Sequence, residues 1–268
     1  MEPLSVSPGF ILPVASLWWR ELVRFYRQRS RVVSALGTPL VFWLLIGSGF
    51  GSSFRQPSTE PGVGYLEYFF PGTVMMILLF SSIFSSISII EERGDGFLLS
   101  VLVAPISRLS LVLGKVLGGT TLASLQAAVF LVLAPVIKIS LSFWQLTFLL
   151  AVFFLISFAL NSLGFVFAWQ LDSIQGFHSI MNLLLVPMWV LSGALFPLSG
   201  ASTWVRWIMR VNPLTYSMIA LRRAFYWQTG QMVSESGSFI LSLAVTCFFG
   251  LVMMTTACYL AQRQAFKG

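Results

Sequence analysis

The chain has 268 residues, of which 57% are hydrophobic, 15% aromatic and 9% charged, with a formal net charge of +7, and its mean hydropathy is +0.86. So little polar surface cannot cover a water-facing exterior, which excludes a soluble globular domain and places the chain in a lipid bilayer. The positive residues are spread over several loops and form no single basic surface, which excludes nucleic acid as a partner.

Residues 1–33 read as a cytoplasmic tail and an interfacial helix. Arg20, Arg24, Arg27 and Arg31 recur at steps of four, three and four, while Trp18, Leu22, Phe25 and Tyr26 take the other face. Such a helix is expected to lie on the membrane surface. No short apolar leader with a cleavage site precedes it, so the first span is expected to be retained as an anchor.

Residues 34–268 then form one membrane domain. Runs free of Asp, Glu, Lys and Arg cover 32–54, 68–90, 116–137, 139–171, 173–205 and 236–262. Each reaches the roughly 20 residues that a helix needs to cross the hydrocarbon core. They are solidly apolar and lack the alternation of a barrel wall, so they read as helices. The bilayer segments are expected near 34–52, 68–90, 112–134, 146–169, 177–197 and 239–260. Ten Lys and Arg fall on the side of the termini and six on the other. The positive-inside rule therefore puts both termini in the cytoplasm.

Between the second and third runs lies "EERGDGFLLSVLVAPISR", residues 91–108, dense in charge within an apolar chain. Glu91, Glu92, Arg93 and Asp95 end the span, and Gly94 and Gly96 free the backbone to turn. Phe97 and Leu98 open a short apolar helix that Pro105 stops, and Arg108 closes the loop. An apolar helix with a charged rim suits a groove of a soluble partner. It equally suits a connector that rests on lipid.

The stretch 203–228 is too charged to cross the bilayer and too apolar for a free loop. Asn212-Pro213 splits it in two, and Tyr216 with Trp204, Trp207, Tyr226 and Trp227 favours the headgroup level, which points to an external re-entrant or interfacial hairpin. Its Arg206, Arg210, Arg222 and Arg223 read as residues that reach for lipid phosphate.

Several chemistries lack their residues. There is no G-x-x-x-x-G-K-[ST] phosphate cradle, so the chain is expected to hold no nucleotide and to hydrolyse none. The lone His178 has no acid–base or nucleophilic partner set and reads as structural. Cys247 and Cys258 lie eleven positions apart in the last span and read as ordinary buried thiols. No Asp or Glu is expected at mid-bilayer depth, with Glu67 and Asp172 at span ends, so a stand-alone channel or ion-coupled carrier is the weaker reading.

Gly96-Phe97-Leu98 and Val103-Ala104-Pro105-Ile106-Ser107-Arg108 resemble the cytoplasmic loop of permeases of the ABC type-2 exporter family. "SGALFP" at 192–197 and "NPLTY" at 212–216 are similar to that family's fifth-span ending and the motif downstream. The daunorubicin-resistance-like permeases look most similar, and the resemblance covers nearly the whole chain. It departs after the Gly-x-Leu step, where members often carry charge and this chain has Leu99 and Ser100.

The resemblance implies an all-α membrane protein of six transmembrane helices, with an amino-terminal gate helix, a cytoplasmic coupling helix and an external re-entrant hairpin. It implies one transmembrane half of an ATP-driven exporter in the plasma (bacterial inner) membrane, paired as a homodimer or with a similar half. A nucleotide-binding ATPase subunit, holding the ATP and Mg, docks under each half. In that picture Glu91, Glu92, Arg93, Asp95, Gly96, Phe97, Leu98, Pro105 and Arg108 form the coupling loop, and Arg20, Arg24, Arg27 and Arg31 the gate helix. The cargo is expected to be amphipathic, a drug or a lipid, with Phe70, Phe80, Phe84, Phe153, Phe154, Phe158, Phe165, Phe167, Trp169 and Trp189 as candidates for an apolar route. Polysaccharide or teichoic-acid export is the alternative.

Overall fold

The computed structural model describes residues 9–27, 29–49, 65–103, 106–137, 139, 141–227 and 238–263. Among them every regular element is helical. A lone strand edge would leave unpaired N–H and C=O groups in hydrocarbon, whereas a helix satisfies its own backbone.

Helix α1 (Ile11–Arg27) is followed by α2 (Arg29–Gly49) and α3 (Tyr65–Ser85). The chain bends at Ser86 into α4 (Ile87–Gly94), turns, and forms the short α5 (Phe97–Val103). Then come α6 (Arg108–Phe130), a tighter 3₁₀ stretch over Leu131–Ile137, and α7 (Phe143–Gln170). Helix α8 (Ile174–Trp189) widens into a π turn over Val190–Ala194. The short α9 (Thr203–Val211) and α10 (Pro213–Phe225) precede α11 (Phe239–Arg263).

Among the described residues five stretches are long and apolar enough to cross a membrane: Tyr65–Gly94, Arg108–Ile137, Phe143–Gln170, Ile174–Ala194 and Phe239–Arg263. The first expected span falls on α2, whose apolar part, Leu36–Gly49, is shorter. Burial sorts the helices by position. Of its most apolar window, 78% is buried in the α3–α4 stretch and 22% in α8 and in α11. Helices α3, α6 and α7 therefore form the centre, with α8 and α11 at the rim.

Lipid tails are as apolar as leucine, so packing and interhelical hydrogen bonds must hold such a bundle together. Trp43 of α2 sits edge-on to Phe70 and Phe130, with ring centroids 5.5 and 5.8 Å away, and donates from its indole to the Leu66 carbonyl. Phe70 stacks on Phe130 at 5.2 Å and meets Phe225 of α10 at 5.7 Å. Polar pairs stitch the same interface. Ser81 of α3 donates to Gln126 of α6, and Ser85 bonds to Asn161 of α7 at 2.6 Å.

The aromatic route expected from the sequence is largely this core. Phe70, Phe153, Phe165, Trp169 and Trp189 are buried against other helices. The cysteines also differ from expectation, since Cys247 is exposed on the outer face of α11 and Cys258 is half-buried. Helix α11 turns only a narrow, small-residue face inward, including Gly250, Ala257 and Ala261.

Two ends of the bundle are irregular. One end, called the clamp end for the ion pairs described below, carries α1, α4 and α5, and the far end carries the π turn, α9 and α10. At the far end Pro187 and the π turn disrupt the regular ladder, and Gly193 adopts φ +90°. Side chains from neighbouring elements take up the carbonyls there. Arg222 donates to Gly193 O at 2.7 Å, Asn212 to Met188 O at 2.7 Å and Tyr65 to Leu195 O at 3.1 Å. From α8 itself, Trp189 donates to Gly72 O of α3 at 3.0 Å.

Arg222 and Tyr226 thus differ from their expected headgroup role. Arg222 is buried with its guanidinium 4.0 Å from the Tyr68 ring centroid, and the buried Tyr226 donates to Glu67 O. Asn212 caps α10 by accepting from Leu214 N, Pro213 opens that helix, and Tyr216 donates to Arg210 O, so the break at 212–213 lies where the sequence places it.

Candidate functional site: a charged clamp around the short loop helix

Helix α1 reaches the bundle through glycine. Gly114 and Gly118 of α6 are four residues apart and so share a face. A Cβ at Gly114 would come within 2.7 Å of Leu17 Cβ, and one at Gly118 within 2.7 Å of Glu21 Cβ. Larger residues would hold the two helices apart. The close approach carries Glu21 inside, where it is 6% exposed.

Lys115 lies between those glycines and is 6% exposed. Its ammonium donates to Glu21 Oε1 at 2.5 Å and to Ser88 Oγ at 3.4 Å, and pairs with Glu92 Oε2 at 2.5 Å. Glu92 is 1% exposed and also faces Arg20 at 2.9 Å and Arg24 at 3.0 Å. Arg24 reaches Glu91 at 2.6 Å as well. Three carboxylates thus meet three cations across α1, α4 and α6. The set is neutral, as burial demands, because an uncompensated buried charge is far costlier than a matched pair.

Two further contacts fix the loop. The Arg20 guanidinium stands 3.5 Å from the centroid of the Phe97 ring, at the first residue of α5. Arg93 leaves the cluster and caps the end of α7, donating to Trp169 O at 2.7 Å and to Asp172 Oδ1 at 2.7 Å. A cation at a helix carboxyl end meets the negative end of its dipole. Gly96, at φ +75°, makes the turn from α4 into α5 in a conformation that other residues enter only with strain. Beyond α5, Ser107 caps α6 by accepting from Ser110 N, next to the partly exposed Arg108.

The residues expected to form the coupling loop therefore divide. Glu91, Glu92, Arg93 and Phe97 are held by α1, α6 and α7, and Leu98 is buried beneath α5. Asp95, Ser100 and Val103 are exposed, Val103 at 87%. Pro105 lies outside the described residues, as does the Arg31 side chain.

The arginine stripe divides too. Arg20 and Arg24 turn inward to carboxylates, while Arg27 is exposed. The charge-free run begins only at 116 and so leaves Lys115 just outside it, but Lys115 stands on the second turn of α6 and answers two acids. Its signal was faint: one cation within an apolar run, and one acid, Glu21, one turn from the buried Leu17. His178 is half-buried, its ring 4.9 Å from Phe84, as befits a packing role.

An apolar bundle of long helices, with α1 pinned by charge across a short loop helix, describes a multi-pass membrane protein. Residues 14–226 match the ABC-2 type transporter family model, and the chain belongs to that family. The match runs from α1 through α10 and so includes both irregular ends. The chain is 27% identical over 236 residues to the transport permease ycf38 of Cyanophora paradoxa, covering 87% of this chain and 80% of that protein. It is 25% identical over 210 residues to nodulation protein J of Rhizobium meliloti (strain 1021), covering 77% and 79%. A ycf38 permease of Porphyra purpurea is 24% identical over 226 residues, covering 82% and 76%. The chain is a transport permease of this family.

Proposed function

We propose that the chain is the membrane half of an ATP-driven exporter whose nucleotide-binding subunit presses on α5. The observation that carries this reading is the division of the loop. Its exposed side, Asp95, Ser100 and Val103, is open to a partner, while its inner side is tied to three helices. A push on α5 is then delivered to α1, α6 and α7 together and can tilt the bundle between two arrangements. ATP and Mg belong to the partner subunit.

Both termini and the clamp end face the cytoplasm in this reading, α2 makes the sixth span, and α9–α10 form a re-entrant hairpin at the outer end. The membrane is a plasma membrane, the bacterial inner membrane by family analogy. A second copy of the permease covers α8, whose exposed face mixes Gln175, Ser179 and Asn182 with Leu183 and Val186. Polar side chains on a spanning helix are costly against lipid and favour a protein or aqueous neighbour. The cargo is amphipathic, a drug or a lipid-like molecule, since the helices present aromatic and aliphatic walls with polar side chains such as Gln126 and Asn161 set among them.

The test is reconstitution with the partner ATPase in lipid vesicles. ATP turnover should depend on the permease, and Val103→Asp should cut that stimulation at least tenfold while leaving the melting temperature within 2 °C, as an exposed substitution does. Full stimulation by the variant would reject docking at α5.

A further inference from the structure

A cavity of about 360 Å³ lies within a single chain, between α1, α2, α3 and α6. That volume falls within the roughly 300–1,000 Å³ of small-molecule pockets. Its walls include Met76, Phe80 and Phe84 of α3, Leu122 and Gln126 of α6, and Pro39 of α2. Arg24 and Glu21 mark its clamp end. From there it follows α3 as far as Met76, twelve residues beyond Ser88, or about 18 Å of helix. That is close to the depth of one leaflet, half of the roughly 30 Å hydrocarbon core.

The polar groups have a direction. Gln126 is 6% exposed, and its Oε1 accepts from Ser81 Oγ. Among the described residues its amide N–H₂ has no protein acceptor. That N–H₂ belongs to a residue lining the cavity, so a ligand acceptor set against it would gain a hydrogen bond that the described chain does not supply. At the clamp end Arg24 is already engaged by Glu91 and Glu92, so the distinguishing donor lies deep, beside the aromatic wall.

We propose that this cavity binds a drug-sized amphiphile whose apolar body carries a hydrogen-bond acceptor, such as a ring ketone, set against Gln126. A plain acyl chain would fill the apolar wall and leave the Gln126 donor unmatched. The proposal rests on the exporter reading for its placement in the inner leaflet. It adds a site inside each chain, separate from any route between two copies.

The probe is an alkyl benzophenone, an aromatic ketone that is itself photoreactive, applied to the permease alone in lipid nanodiscs. A phospholipid with a diazirine in its acyl chain serves as comparison. Benzophenone label should concentrate on Met76 and Leu122 and saturate, whereas the phospholipid should mark exposed α11 positions such as Phe248 and Leu251. Gln126→Leu should raise the half-saturating benzophenone concentration roughly three- to tenfold, the value of one net hydrogen bond. Leu122→Trp should abolish cavity label and keep the α11 label.

Equal benzophenone label on α11 and on the cavity would overturn the proposal, as would saturation unchanged by Gln126→Leu. Efficient cavity label by the phospholipid would make the occupant a bilayer chain and overturn it too. No ATPase is present, so failure here leaves the partner reading standing. Loss of ATPase stimulation, in turn, leaves this labelling untouched.

Discussion

The two irregular ends are held in different ways. At the clamp end charged side chains hold one another, Glu21, Glu91 and Glu92 against Arg20, Arg24 and Lys115. At the far end side chains hold backbone, with Arg222, Asn212 and Tyr65 donating to carbonyls of the α8 kink. The difference follows from what each end must solve. A π turn with a positive-φ glycine leaves carbonyls without helical partners, and lipid supplies no donors. A short loop helix has no deep core of its own, so it is anchored through charge. Charge pairing specifies which helices stay together, whereas a donor to a carbonyl preserves one bent shape.

Removing one partner should separate the two designs most sharply. Lys115→Met leaves the buried Glu21 without its cation and Glu92 with only Arg20 and Arg24, and should cost about 3–5 kcal/mol by thermal unfolding in detergent, with loss of partner-stimulated ATPase. Arg222→Met at the far end removes a charged donor from Gly193 O and should cost about 1.5–3 kcal/mol. It should loosen α8 and α10, read as faster amide exchange there, with the clamp end unchanged.

The smallest effect belongs to the exposed part of the clamp. The Asp172 side chain is 88% exposed where it meets Arg93, so Asp172→Asn should cost about 0–1 kcal/mol. At 1 M salt, where screening reaches about 3 Å, that small difference should vanish while the Lys115 effect persists.

Much of the fold was legible in the chain. The bilayer segments expected at 68–90, 146–169 and 239–260 foretold Tyr65–Gly94, Phe143–Gln170 and Phe239–Arg263 to within a few residues. An uninterrupted apolar run of that length has few other outcomes in a bilayer. The amphipathic period of α1 and the break at Asn212-Pro213 were equally readable, because both are local.

What the sequence hid was pairing. Nothing in "EERGD" says that Glu92 turns inward to Lys115 while Asp95 stays in water, since that depends on how closely α1 approaches over Gly114 and Gly118. Arg222 looked like an anchor for phosphate because its partner carbonyl arises only once α8 has kinked. The motif "SGALFP" marked the end of that span, but neither the kink nor the donors that gather around it. The clamp was visible as charge and invisible as a neutral cluster.

The most direct measurement is a double-mutant cycle on Glu21 and Lys115, using Glu21→Gln, Lys115→Met and the pair, with both stability and partner-stimulated ATPase as readouts. A clamp that carries force through α1 and α6 predicts coupling of about 0.5–3 kcal/mol in stability and a double variant no less active than Lys115→Met alone. Additive losses, agreeing within about 0.3–0.5 kcal/mol, would show that the two side chains act independently and would contradict it.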